Sequence, residues 1–291
     1  MNAKKTSLIW IALLLLNCII IFFLFFDIKT FYVPHSFLLI ILFFASAFCE
    51  YIDSSLGMGY GTTFTPFVLT LGLARVEIVP IVLLSELFSG LFSGLKHHQE
   101  GNVDLLRNKQ IKFALICLII PSIIGVVSAI LFSNYLKIID QKYVNLYIAI
   151  MVMMIGLYII YRFYFKNNRK TSFNHSKLLL LGVVAAFNKG VSGGGYGPLL
   201  TSGQILSGIS QKEAVAITSF CEAFTCLIGI IVFFTLGGTI NINYLVPICL
   251  GSLLSVVPAV KTIRLISDEL LGRTIGWATL LLGSLTLLKF L

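Results

Sequence analysis

Long apolar segments, separated by short polar links, follow one another along almost the whole chain. The first, Leu8–Phe26, has about the 20 residues that a helix needs to cross a bilayer. No small-residue cleavage site follows it, so we predict a retained helix rather than a signal peptide. Six further segments of spanning length follow in two groups of three: Ile78–Leu95, Ile111–Phe132 and Tyr143–Tyr161, then Val215–Leu236, Leu245–Val260 and Leu270–Leu291.

A glycine-rich block precedes each group of three. The blocks cover residues 53–66 and 188–201, and each joins an apolar segment to a shorter one of about ten residues. Ten residues rise about 15 Å as a helix, which is half of what a bilayer requires. Each block therefore predicts a hairpin of helix, break and half-helix. The half-helices are predicted to begin near Phe64 and Leu199.

The two blocks keep one register when one is shifted by 136 positions. The same shift places Glu86 on Glu222, inside the apolar segments that follow. Within the blocks it pairs Gly57 with Gly193, Gly59 with Gly195, Tyr60 with Tyr196 and Gly61 with Gly197. A register kept over about thirty residues indicates an internal duplication.

Composition places these segments in lipid. The chain of 291 residues is 58% hydrophobic and 11% charged, with a mean hydropathy of +0.98. Soluble domains are about 25% charged, so we predict a polytopic membrane protein. The net charge of +9 arises from Lys and Arg in short links, which indicates cytoplasmic loops rather than a nucleic-acid-binding surface. The six cysteines lie in apolar segments and are predicted to pack there without disulfides or metal.

The basic residues also predict the orientation. With the amino terminus in the cytoplasm, most Lys and Arg outside the membrane lie on the cytoplasmic side. Three spans plus a hairpin make an odd number of crossings, so the second copy is inverted. The predicted fold is an all-α polytopic protein of the cell membrane, with two inverted repeats that each contain a glycine-broken hairpin and three transmembrane helices. Residues 1–35 form a leading transmembrane helix and link, 36–165 the first repeat and 166–291 the second.

Inverted repeats with broken helices are the usual construction of secondary transporters, in which the breaks meet near the midplane and bind the substrate. Unpaired N–H groups at the start of a half-helix carry partial positive charge, which favours an anion. The alternative is that the glycines only permit tight helix crossing. The predicted substrate-binding residues lie in and beside both blocks: Gly57, Gly59, Tyr60, Gly61, Thr62, Thr63, Lys189, Ser192, Gly193, Gly194, Gly195, Tyr196 and Gly197.

The doubled glycine block, the length and the hydrophobic pattern resemble the TauE/SafE family of sulfite and organosulfonate exporters and related anion permeases. The segment Ala216-Ile217-Thr218-Ser219 is similar to the Ala-x-Thr-Ser stretch that follows the family's second block. The resemblance covers roughly residues 36–291. It implies a multi-pass carrier for small sulfur-containing oxyanions.

Ionisable residues at membrane depth are functional candidates, because each costs about 2.5–3.5 kcal/mol on insertion scales. Lys189 is predicted either to bind the anion or to pair with Asp53, its counterpart in the other copy. Glu86 and Glu222 are candidates for proton coupling, since burial favours the neutral form of a carboxyl group. The alternative is that each accepts a hydrogen bond from Ser or Thr on a neighbouring helix. Glu50 and Asp53 are further proton-coupling candidates.

A histidine pair, His97-His98, lies in a predicted cytoplasmic link. Adjacent histidines point in different directions on a helix, so we predict a solvated loop end, with metal binding as the alternative. Gly101 and its counterpart Gly237 predict a glycine cap at a helix end.

These patterns together predict a secondary transporter that moves a small anion by alternating access, with sulfite, a sulfonate or a related sulfur oxyanion as the favoured substrate. The predicted partners are that anion and the lipid bilayer, no cofactor or nucleic acid is predicted, and a homo-oligomer is left open. A cation or divalent-metal/proton carrier is the main alternative, because four acids face one lysine at membrane depth. An intramembrane enzyme is disfavoured, since no catalytic constellation lies at that depth.

Overall fold

The computed structural model describes residues 35–105, 108–136, 141–165, 175–192, 196–235 and 237–290. All regular structure within these ranges is helical. The predicted leading helix Leu8–Phe26 and the glycines Gly193, Gly194 and Gly195 lie outside the described residues, as does the side chain of Ser192.

Two sets of five helices follow one another along the described chain. The first set is α1 (His35–Leu56), α2 (Tyr60–Thr70), α3 (Arg75–Gln99), α4 (Lys109–Leu136) and α5 (Gln141–Phe165). The second set is α6 (His175–Ser192), α7 (Tyr196–Leu206), α8 (Gln211–Thr235), α9 (Ile242–Leu265) and α10 (Asp268–Phe290). The short helices α2 and α7 have 11 residues each and occupy corresponding places in the two sets.

Several helices have the length and composition of membrane spans. Four of the described segments qualify by both measures: Ser36–Leu56, Glu77–Gln99, Gln211–Thr235 and Ile242–Leu265. Their outer faces carry exposed large apolar side chains, such as Phe44 on α1 and Leu254 on α9, both about two-thirds exposed. A surface of this kind is stable in hydrocarbon rather than in water.

The half-helices begin earlier than the apolar pattern predicts. Helix α2 starts at Tyr60 rather than Phe64, and α7 starts at Tyr196 rather than Leu199. Gly57 and Gly59 have φ values of 65° and 78°, which end α1 and turn the chain. The amide of Thr62 then bonds to the carbonyl of Gly59 at 3.0 Å, so helical geometry resumes directly after the second of these glycines.

Glycine caps end the two long central helices, as predicted. Gly101 follows α3 with φ 76°, and Gly237 follows α8 with φ 77°. At the first cap, the amides of Gly101 and Asn102 bond to carbonyls one turn back, at His98 and His97. This is the Schellman arrangement, and it satisfies carbonyls that a helix end otherwise leaves unpaired.

Helices of the first set pack along helices of the second. Helix α1 runs parallel to α9, because Ser46 bonds to the Ile248 carbonyl and Tyr51, further along, bonds to Thr262. The corresponding pair joins α6 of the second set to α4 of the first. These two helices are also parallel, since Gly182 lies against Leu118 and the later residue Ala186 lies against Gly125. Helices α3 and α8 pack along each other, as do α5 and α10.

Candidate functional site

The start of α7 lies against the turn that directly precedes α2. A Cβ added to Gly197 would lie 2.2 Å from the amide nitrogen of Gly59, so the two backbones are in direct contact. The hydroxyl of Thr201, on α7, donates to the Gly57 carbonyl at 2.9 Å. Glycine is required at this contact because a side chain would occupy the space of the opposite backbone.

Lys189, near the end of α6, is the charged centre of the site. Its ammonium lies 3.1 Å from Glu86 Oε2 on α3 and 2.9 Å from Glu222 Oε1 on α8. It also lies 3.3 Å from the sulfur of Cys226. These ionic side chains are at most 8% exposed, so Lys189 joins the two acids in a buried ion triad.

The two acids of this triad are counterparts in the predicted duplication, and they do not bond to Ser or Thr hydroxyls among the described residues. Glu86 instead accepts from Lys189, from the thiol of Cys226 at 3.1 Å and from the Gly61 amide at 3.4 Å. Oε1 of Glu222 accepts from Lys189, and its Oε2 is buried with no hydrogen-bond partner among the described residues. Among the described residues, the partners of this pair are therefore lysine, cysteine and a backbone amide rather than Ser or Thr hydroxyls.

Asp53 lies next to the triad but caps a helix. Its Oδ1 accepts from the Gly59 amide at 2.6 Å, immediately before α2 begins. One carboxylate oxygen from each of Asp53, Glu86 and Glu222 lies within 4.8 Å of the other two. The predicted pairing of Lys189 with Asp53 is thus replaced by ion pairs with the other two acids.

Glu50, one turn before Asp53, has partners of its own. Its Oε1 accepts from the Ser54 hydroxyl at 2.6 Å, and its Oε2 accepts from the Ser89 hydroxyl on α3 at 2.7 Å. Both oxygens are therefore satisfied by short bonds, one within α1 and one that connects α1 to α3. This arrangement favours a structural role for Glu50 over proton coupling.

The paired tyrosines frame the ion triad from the starts of the half-helices. The ring of Tyr196 lies under the Lys189 ammonium, 5.2 Å from nitrogen to ring centroid, and its hydroxyl bonds to Ser122 at 3.0 Å. Tyr60 stacks on Phe64 at 5.0 Å between centroids. The buried lysine therefore has a cation–π contact in addition to its ion pairs.

Thr62 and Thr63, the two predicted threonines of the first block, differ in their surroundings. The hydroxyl of Thr63 donates to the Tyr60 carbonyl at 3.1 Å, which is a local bond along α2. Thr62 lies at the helix contact, since its Oγ1 would be 2.7 Å from a Cβ on Gly59. Thr62 is therefore the better placed of the two for a role at the starts of the half-helices α2 and α7, which we call the tips.

The histidine pair does not form a solvated loop end. Helix α3 continues to Gln99, and His97 is fully buried. Its Nε2 lies 3.0 Å from the Ser54 carbonyl at the end of α1, and its Nδ1 lies 3.1 Å from the Asn102 side-chain nitrogen. Asn102 in turn donates to the Val260 carbonyl on α9. The His97 imidazole therefore links α3 to α1 directly and to α9 through Asn102.

Three residues of the site were not predicted as site residues, and one of them, Cys226, was expected only to pack among apolar side chains. Cys226 lies one helical turn after Glu222, so the spacing i, i+4 on a predicted helix was the available signal. Thr201 and Ser122 carry no such signal. Their partners lie 144 and 74 positions away in the chain, and only the fold brings them together.

The site lies inside a region shared with known proteins. The sequence pattern of the family described as "Sulfite exporter TauE/SafE" matches residues 42–286. The chain belongs to the TauE/SafE family. This TauE/SafE protein is also 28% identical to the "Probable membrane transporter protein YtnM" of Bacillus subtilis (strain 168), over 260 residues that make up 86% of this chain and 83% of the relative.

Family membership and the apolar helices together identify a multi-pass membrane transporter. The resemblance stated from the sequence is therefore confirmed at the level of the family. The matched region includes both short helices and the whole ion triad of this TauE/SafE transporter.

Proposed function

We propose that this protein is a secondary transporter for a small sulfur-containing oxyanion, such as sulfite or a sulfonate. The observation that carries the proposal is a buried lysine at the place where two broken helices meet. A buried ammonium beside helix starts attracts an anion, because both carry positive charge and neither is screened by water. Sulfur oxyanions are the cargo that the family's description suggests.

The proposed mechanism is alternating access between two inverted repeats, with the amino terminus in the cytoplasm. It is supported by the matching pairs of parallel helices, α1 with α9 and α6 with α4. The tips of α2 and α7 touch through glycine backbone, which leaves no space for an anion between them. A substrate must therefore separate the tips or enter beside them at Lys189.

The proposed coupling of anion transport to protons arises because the anion competes with Glu86 and Glu222 for Lys189. Glu86 and Glu222 already hold the ammonium, so an anion that takes Lys189 leaves two buried carboxylates without their cation. An unpaired buried carboxylate is costly, and a proton removes that cost. Either Glu86 or Glu222 is accordingly the proposed proton carrier, with Asp53 as their neighbour.

A cation carrier is the second candidate, favoured by the cluster of Asp53, Glu86 and Glu222. Three acids and one lysine give this group a formal charge of −2 when all are ionised. The ammonium of Lys189 already binds two of these acids, however, as an internal cation would. The geometry therefore supports the anion carrier better.

Flux measurements in proteoliposomes separate the two functions. We expect saturable sulfite flux that changes between an acidic and a mildly alkaline pH, and no saturable flux of Mn²⁺ or Zn²⁺. The variant Lys189→Met should abolish sulfite flux. Lys212→Met is the matched control, because Lys212 pairs with Asp268 at the partly exposed start of α8, away from the site. Metal flux without sulfite flux would replace the anion carrier by the cation carrier.

A further inference from the structure

The two tips of the site differ in charge although their sequences correspond. Asp53 in the first copy stands where Lys189 stands in the second, 136 positions later. Each residue lies just before a half-helix of the same length. One tip therefore carries a negative side chain and the other a positive one.

The start of α2 already holds carboxylates of this chain. Asp53 Oδ1 accepts from the Gly59 amide at 2.6 Å, and Glu86 Oε1 accepts from the Gly61 amide at 3.4 Å. A helix start favours one or two anionic groups, because its amides are unpaired within the helix. With two carboxylates in place, this tip has no remaining attraction for a substrate anion.

The start of α7 is different. Lys189 takes the place of the capping acid, and its ammonium lies over the ring of Tyr196. Glu222 is the counterpart of Glu86, yet its Oε2 accepts no hydrogen bond among the described residues, although the residue is only 2% exposed. Among the described residues, this buried carboxylate oxygen therefore has no donor, and a bound ligand can supply one.

This arrangement also selects the kind of anion. Asp53, Glu86 and Glu222 surround the ammonium of Lys189, so a second negative charge on the anion would find no cation to pair with among the described residues of the site. The unpartnered oxygen of Glu222 requires a hydrogen-bond donor. An anion with one charge and a donor group of its own satisfies both conditions.

Resting on the function proposed above, we infer that a single anion binds at the start of α7, with its charge on Lys189 and its donor group on Glu222 Oε2. The start of α2 is closed by Asp53 and Glu86 and binds none. The ligand class is a monoanionic sulfur oxyanion that carries a hydroxyl or other donor.

Calorimetric titration of the purified full-length protein tests this inference with isethionate, ethanesulfonate and sulfate. Isethionate and ethanesulfonate are both monoanionic sulfonates and differ by one hydroxyl group. We expect one isethionate per chain, bound at least about tenfold more tightly than ethanesulfonate, as a hydrogen bond to a charged group predicts. Sulfate should bind more weakly than either. Lys189→Met should weaken isethionate binding at least about thirtyfold.

Two matched variants locate the donor contact. Glu222→Leu should remove the preference for isethionate over ethanesulfonate and leave Lys189 paired with Glu86. Glu86→Leu should keep the preference, and thermal unfolding checks that both variants are folded. Two anions per chain, equal affinity for the two sulfonates in the wild type, or a preference that survives Glu222→Leu would overturn this inference alone. Absence of binding by either sulfonate would also overturn this inference, whereas the proposed function would fall only if the proteoliposomes showed no saturable sulfite flux as well.

Discussion

The contact between the two tips predicts the outcome of one small substitution, Gly197→Ala. The new methyl carbon would lie 2.2 Å from the amide nitrogen of Gly59 and 2.6 Å from both its Cα and the Met58 carbonyl carbon. Ordinary contacts of a Cβ begin at about 3.4 Å, so the backbones must separate by roughly 1 Å. Backbone atoms cannot avoid the methyl group by a change of rotamer.

The expected cost follows from overpacking at a closed contact. Overpacked sites lose about 1–3 kcal/mol of unfolding free energy. For a chain of this size, that loss lowers the Tm by about 2–10 °C. We expect Gly197→Ala to show this fall in Tm in detergent and to reduce sulfite flux in proteoliposomes at least tenfold, because the tips can no longer close.

Gly229→Ala is the matched control for this substitution. Gly229 also lies in a helix of the site, but a Cβ there would meet only the end of the Leu83 side chain, at 3.1 Å. That side chain can rotate away, so flux should stay near the wild-type level. If Gly197→Ala had the same Tm and flux as Gly229→Ala, the backbone contact between the tips would be refuted.

Three further outcomes are expected. Lys189→Met should destabilise the protein by about 3–5 kcal/mol, because it leaves buried carboxylates unpaired. Adding Glu222→Gln to this variant should restore part of the lost Tm, and no recovery would argue against the ion triad. His97→Leu should lower the unfolding free energy by about 1–3 kcal/mol by leaving its buried partners unsatisfied, which chemical or thermal unfolding measures. The hydrogen bond from Arg264 holds the pKa of Glu100 below its usual value, so the stability that this acid contributes is present at neutral pH and lost as the pH falls through the lowered pKa. Comparing Tm against pH with Glu100→Gln should show a small loss confined to acidic pH, since the pair is exposed.

The long helices could be predicted from the sequence because hydrocarbon fixes their length and composition. The segment Ile78–Leu95, for example, lies within α3. The helix continues to Gln99 because His97 is buried against the end of α1, a contact that no apolar pattern shows. Polar side chains that bond inside the protein extend a helix beyond its apolar limits.

The candidate site could be predicted as a set of residues but not as a set of pairs. Lys189 and the two glutamates were identified by their depth in apolar segments. Their pairing joins residues 103 and 33 positions apart, and it depends on the fold, which brings the end of α6 close to both α3 and α8. The sequence does show that the two copies differ in charge, because Asp53 in one stands where Lys189 stands in the other. The capping bond of Asp53 could not be predicted, because it depends on the turn at Gly59.

The cross-packing of α1 with α9 and of α6 with α4 has a mechanical consequence. Each hairpin is held most extensively by a helix from the other half of the chain, not by the helices that follow it in sequence. Any rocking motion that parts the tips must therefore carry α1 with α9 as one body and α6 with α4 as the other. In the proposed rocking motion, each moving part would contain helices from both halves of the chain, and a half expressed alone would turn faces with small side chains, such as those at Ser46 and Gly251, toward lipid.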